Sequence, residues 1–297
     1  MAELPLVVEP EQLAELLEAP PEKLRLVDVG SEQSYQQGHI PGALHIPPQM
    51  LVCNIPPVPG RIARVEQLNR LFAFLGMEPD THFVVYDDEG GGWAGRFIWT
   101  LDVIGHPHYS YLNGGLQAWK NEHHPLSREI PQQATTEPHV NIDAKQLVKV
   151  EDLLNSLDDP DFAIWDARNP AEFRGEKVTA QKAGHIPGAV NVEWTQLMDH
   201  HKGLRIRTDA EEYLRDQGLT REQRIVTHCQ SHHRSGFTYL VGKTLGFDIK
   251  GYDGSWAEWG NHPDTPVESY TRPEVRLLTV HPCASAAPTA FALPRVR

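Results

Sequence analysis

Cys229 is the residue whose surroundings in this chain best suit nucleophilic chemistry. It ends the apolar run Ile225-Val226-Thr227-His228, and Gln230-Ser231-His232-His233-Arg234 leads from it to Ser235-Gly236 and a helical stretch reaching Leu245. A strand-loop-helix passage turns backbone N–H groups and a helix start toward the loop centre, a setting that favours anions. The thiol of Cys229 should therefore ionise more readily than a free cysteine, helped by Arg234 and by either histidine if protonated. The bland alternative, a small buried hydrophobe, fits a polar, glycine-flanked loop poorly. Cys53 and Cys283 have no base, helix start or motif beside them and read as packing or exposed thiols. Three widely separated cysteines make no disulfide framework.

His228, His232 and His233 raise the question of a metal. A structural zinc site wants four converging ligands, and no second cysteine or histidine pair stands at finger spacing, so the expectation is no metal. The histidines read first as donors to a substrate anion, with general base and polarity tuning as alternatives. Cysteine-dependent phosphatases also set a cysteine and an arginine around an anion-binding loop, but with five residues between them. Here four separate Cys229 from Arg234, a loop one residue short for a tetrahedral phosphate.

The elements that position this loop occur twice. Gly38-His39-Ile40-Pro41-Gly42-Ala43 returns as Gly184-His185-Ile186-Pro187-Gly188-Ala189, and each copy follows an apolar run ending in aspartate, Asp28 or Asp166. His82 to Asp88 answers Gln223 to Cys229, Gly95 answers Gly236, and Leu112 to Trp119 answers Tyr252 to Trp259. At this shift Asp88 takes the place of Cys229. The hexapeptide is present where no nucleophile is, so His39 and His185 read as scaffold in a tight turn. Short apolar runs alternating with helical stretches such as Val65 to Leu75 predict an α/β class, with two tandem domains of mostly parallel sheet flanked by helices. The boundaries expected are 1–125, an exposed Pro-rich linker at 126–138, 139–268, and a loosely ordered Ala/Pro-rich tail at 269–297.

Length and charge agree with this division. A chain of 297 residues suits two domains, and a formal net charge of -13 argues against nucleic acid or anionic lipid as partner. No apolar run approaches membrane-spanning length, and the start Met1-Ala2-Glu3-Leu4-Pro5 lacks the order of a secretory signal, so a cytoplasmic protein is expected.

The repeated Gly-His-Ile-Pro-Gly-Ala, the Cys229 to Arg234 loop, and Asp253-Gly254-Ser255-Trp256-Ala257-Glu258-Trp259 together resemble the rhodanese family across roughly Val7 to Glu268. The Cys-Gln-Ser-His-His-Arg loop is similar to that of a bacterial subgroup of tandem-domain thiosulfate sulfurtransferases. The resemblance implies that the Cys229 thiolate takes the sulfane sulfur of a small anionic donor such as thiosulfate. The resulting persulfide then yields it to cyanide, a thiol or a protein acceptor, with no cofactor. It implies Cys229 as the catalytic residue and Gln230, Ser231, His232, His233 and Arg234 as the donor-binding loop. Asp166, Arg168, Trp256 and Glu258 are candidate supports that could equally be structural.

One departure bears on the donor. Glu172 stands where some relatives in this family carry a substrate-binding arginine, which disfavours a carboxylate donor such as mercaptopyruvate, the alternative substrate. The first copy's loop, Asp88-Glu89-Gly90-Gly91-Gly92-Trp93, offers carboxylates in place of a nucleophile, and that domain is expected to be inactive. A non-enzymatic docking module fits the first copy and matches the intact Cys229 loop poorly.

Overall fold

The computed structural model describes residues 4–270. Cys283 and positions 271–297 of the expected tail lie outside the described residues. The chain runs β1 (Val7–Val8), α1 (Pro10–Glu18), β2 (Leu24–Asp28), α2 (Glu32–Gln37), β3 (Leu44–His45), α3 (Val65–Phe74), β4 (His82–Tyr86), α4 (Gly92–Val103), β5 (Tyr109–Leu112) and α5 (Gly115–Asn121). The second half runs α6 (Val150–Leu154), β6 (Phe162–Asp166), α7 (Pro170–Phe173), β7 (Val190–Asn191), β8 (Met198–Asp199), β9 (Arg205–Ile206), α8 (Ala210–Asp216), β10 (Arg224–His228), α9 (Arg234–Thr244), β11 (Asp248–Gly251) and α10 (Ser255–Trp259).

Each half forms its own parallel sheet, ordered β1-β5-β4-β2-β3 and β11-β10-β6-β7. The central strands β2, β4, β6 and β10 are almost wholly buried, as their apolar runs require of a sheet covered on both faces. The expected tandem α/β architecture is what the chain adopts.

The two hexapeptides do the same scaffold work. His39 stacks on Tyr35 with its Nδ1 2.9 Å from the Tyr35 carbonyl, and His185 stacks on Phe173 with its Nδ1 2.7 Å from the Phe173 carbonyl. The backbone of each pairs with the segment leaving its domain, His39 with Ser127 and His185 with Glu268. Ser127 thus belongs to the first domain's closure, just inside the stretch read as linker. The residues from 128 to 138 are largely exposed, yet Thr136 is tied to Ala73 and Met77.

Strand register corrects one equivalence. Asp28 pairs with Tyr86 and Asp166 with His228, and the following amides repeat this: Val29 donates to Tyr86, Ala167 to His228. Leu116 donates to the Asp87 carbonyl as Trp256 does to the Cys229 carbonyl. Asp87, not Asp88, therefore occupies the place of Cys229, and the first loop is one residue longer before Gly95 and Gly236 come into step. A single shift applied through both strand and helix had hidden that insertion.

The domains meet where α4 crosses α9. A Cβ on Gly95 would drive into the Gly236 carbonyl, and one on Gly236 would lie 2.6 Å from the Gly92 carbonyl. The helices touch backbone to backbone, which no larger residue permits. Gly95→Ala should destabilise the protein by ~1–3 kcal/mol in urea unfolding, as overpacking does in a close-packed interior.

Candidate active site

Cys229 lies between the end of β10 and the start of α9, 1 % exposed. Its sulfur receives hydrogen bonds from the amides of Ser231 and Ser235 and from the Ser235 hydroxyl. Burial pushes the thiol's pKa up, but the Arg234 guanidinium, the Ser235 contacts and the Ser231 amide outweigh it and hold the thiol below its ordinary value. This is the anion cradle expected of a strand-loop-helix passage.

The loop works mainly through its backbone, because most of its side chains are engaged elsewhere. Gln230 exchanges hydrogen bonds with Thr179, its Oε1 accepting at 2.7 Å and its Nε2 donating to the Thr179 carbonyl at 3.2 Å. Ser231 packs against Gly60 of the first domain. His232 is fully buried, with φ 57° and its Nδ1 2.7 Å from the Ser235 hydroxyl. Burial and the nearby Arg96 hold that imidazole well below its usual pKa, so it is neutral. His233 pairs with Glu89 and stacks on Trp93 at 4.4 Å, both from the first domain. His232 and His233, expected as donors to the substrate anion, bond here within the loop and across the domain interface.

Arg234 makes a bidentate ion pair with Glu172, at 2.7 and 3.0 Å. Glu172 is 3 % exposed, and although burial opposes ionisation, Arg234 holds it below the usual carboxylate range. Sequence reasoning did not place Ser235 beside the sulfur or Glu172 on Arg234. Glu172 was visible only as a departure from a motif, and Ser235 as an unremarked residue at a helix start.

The supports sit one layer away. Arg168 is buried, bonded to both oxygens of Asp166 and to the Gly184 carbonyl, and lies 4.3 Å from the Trp256 ring. This cluster braces β6 and the hexapeptide turn. Asp166 also approaches the His228 Nε2 at 3.6 Å. Glu258 is turned to the interdomain cleft, where it pairs with Arg61 and accepts from Tyr252 at 2.7 Å. That cleft, of about 790 Å³, is lined by Cys53, Arg61, Lys149, Asp253 and His262 but by no residue from Cys229 to Arg234. Among the described residues no cluster of three or more His, Cys, Asp and Glu could hold a metal ion, and no helix is long and apolar enough to cross a membrane.

In the first domain the same cradle is filled. Asp87 Oδ1 accepts from the amides of Glu89, Gly90 and Gly91 at 3.1, 3.0 and 2.8 Å, and Oδ2 from Ala94 at 2.9 Å. Burial and the neighbouring Glu89 push its carboxyl up to about 7 against the pull of those amides. A side chain already holds the place a bound anion would need.

The Arg234–Glu172 pair sets the thiol's ionisation, with opposite signs for its two members. Arg234→Met removes a cation and should raise the apparent pKa of Cys229 by roughly one unit, while Glu172→Gln frees the guanidinium and should lower it. The pH dependence of iodoacetamide alkylation measures both.

Comparison with known proteins agrees with this geometry. The Rhodanese-like domain model matches residues 9–122 and again 149–262. The chain is 56 % identical over 268 residues to a thiosulfate sulfurtransferase of Azotobacter vinelandii and 53 % identical to one of Pseudomonas aeruginosa, each match covering 90 % of this chain and 98 % of the relative. It is 32 % identical to the 3-mercaptopyruvate sulfurtransferase of Escherichia coli, over 80 % of this chain and 85 % of that one. A crystal structure of a 3-mercaptopyruvate sulfotransferase from Escherichia coli superposes with TM-score 0.74 at 30 % identity, covering 85 % of this chain and 99 % of that chain. A repeated family match, relatives matched over nearly their whole length and a cradled thiol at the end of a parallel strand make this chain a member of the rhodanese family, with two rhodanese-like domains in tandem.

Proposed function

We propose that this chain is a thiosulfate sulfurtransferase working through a persulfide on Cys229. The observation that carries the reading is a buried sulfur ringed by the Ser231 and Ser235 amides and the Ser235 hydroxyl, with its pKa lowered by Arg234. Relatives bearing that activity in name, at 53 and 56 % identity, support it.

The Cys229 thiolate attacks the outer sulfur of thiosulfate. A new S–S bond forms, the donor's S–S bond breaks, and sulfite departs with the electron pair. The persulfide carries one negative charge on its outer sulfur, which the same donors stabilise. An acceptor thiolate or cyanide then attacks that outer sulfur, and the pair from the broken bond returns to Cys229 as thiolate. Neither step requires a group beyond donor, acceptor and loop. Acceptors include small thiols and exposed cysteines of proteins. Thiols that stay unpaired, Cys53 and Cys229, suit the reducing cytoplasm.

Glu172 directs the choice of donor. It stands where an arginine could pair with a donor's carboxylate and it occupies Arg234, so mercaptopyruvate finds no cation for its carboxylate, while backbone donors remain to grip the compact thiosulfate head. Thiosulfate should accordingly exceed mercaptopyruvate in kcat/KM in parallel steady-state assays that follow thiocyanate. Cys229→Ser should lose all turnover, and intact mass of donor-loaded protein should show one extra sulfur that cyanide removes. Normal turnover by Cys229→Ser would refute the persulfide route.

A further inference from the structure

Arg96, on α4 of the first domain, is fully buried, and its guanidinium is turned to the second domain's loop. Its NH1 donates to the His232 carbonyl at 3.3 Å and its NH2 to the Leu51 carbonyl at 3.1 Å, while its Nε has no partner among the described residues. The charge lies 4.6 Å from the Trp99 ring, whose edge packs on the His232 imidazole. Both recorded hydrogen bonds go to neutral carbonyls, so the cation is sequestered from water without a bound carboxylate, a costly arrangement for a helix crossing.

The fold itself does not ask for a cation here. Gly95 and Gly236 are equivalent at the crossing, so the counterpart of Arg96 is Phe237, an apolar residue that packs with no exposure. What distinguishes the arginine's side of the crossing is the sulfur loop. His232 holds a left-handed backbone, a conformation a non-glycine residue keeps only when its surroundings enforce it. Its ring nitrogen meets the Ser235 hydroxyl, and that hydroxyl bonds the Cys229 sulfur.

We infer that Arg96 is a positioning residue for sulfur transfer: by clamping the His232 carbonyl from across the domain boundary it holds the turn that aims the loop's donors at Cys229. The catalytically empty domain thereby contributes to the reaction of the other. Burial pulls the guanidinium down to about 10, against the opposing pull of Asp253, Cys229 and Cys53. The other ionisable groups around the loop are Arg234 with Glu172, His228 with Asp166, and His233 with Glu89.

The inference rests on Cys229 being the reacting thiol, and its test reads ionisation separately from turnover. Full-length protein is stripped of sulfur with cyanide and alkylated with iodoacetamide across pH, with Cys229 assigned by peptide mass spectrometry, in Arg96→Met, Arg96→Lys and the interface control Tyr239→Phe. Tyr239 bonds Asp102 at 2.6 Å along the same helix pair. Arg96→Met should raise the apparent pKa of Cys229 by about one unit and lower kcat on the order of tenfold, with KM for thiosulfate within about threefold. Arg96→Lys, which keeps a charge but cannot span both carbonyls, should shift less, and Tyr239→Phe should not shift the pKa. A folded Arg96→Met with wild-type pKa and kcat overturns the inference, as does the same shift in Tyr239→Phe. If Arg96→Met does not fold, the lysine variant decides, and an unmoved pKa rejects the role. The expected pKa shifts in a protein that fails to transfer sulfur would reject the proposed function and leave Arg96's hold on the Cys229 loop standing.

Discussion

Keeping a sulfur anion out of water is costly unless hydrogen-bond donors take water's place, and that requirement shapes the loop from Cys229 to Ser235. Two amides and a hydroxyl meet the sulfur, and together with the Arg234 charge they outweigh the burial that would otherwise keep the thiol protonated. The side chains of Gln230, His232 and His233 hold the loop's shape by bonding to Thr179, Ser235 and Glu89. A cradle built from backbone is indifferent to which sulfur it holds, so the same donors would suit both the thiolate and the persulfide of the proposed cycle.

The two halves show the same cradle with different tenants. In the second it holds Cys229; in the first, four amides close on the carboxylate of Asp87. A carboxylate fixed to the chain occupies those donors, where the second domain presents a thiol. The first domain retains the strands, the hexapeptide turn and the loop-to-helix passage because its helix α4 must still meet α9 at the Gly95–Gly236 crossing.

That crossing ties architecture to function. It brings Glu89, Trp93, Arg96 and Gly60 of one domain against His233, His232 and Ser231 of the other. The duplicated domain thus walls and braces the site while supplying no nucleophile. Tandem arrangement gives the loop a rigid neighbour at fixed distance, which a lone domain would have to find in a second molecule.

The repeat, the α/β class and the place of Cys229 between strand and helix were legible in the amino-acid order, because apolar runs, a duplicated hexapeptide and a cysteine after an apolar run are local features that no distant contact can disguise. Local order also placed His39 and His185 in the scaffold, where each ring stacks on its own domain's aromatic residue. Tertiary structure alone decided that Asp87 matches Cys229, since an insertion inside a loop shows only once strands pair. It alone decided that Glu172 captures Arg234, that His232 bonds Ser235 while His233 meets Glu89, and that Arg96 reaches the loop from the other domain. Those outcomes depend on where side chains separated by tens to more than a hundred residues converge, and spacing along the chain carries no record of that distance in space.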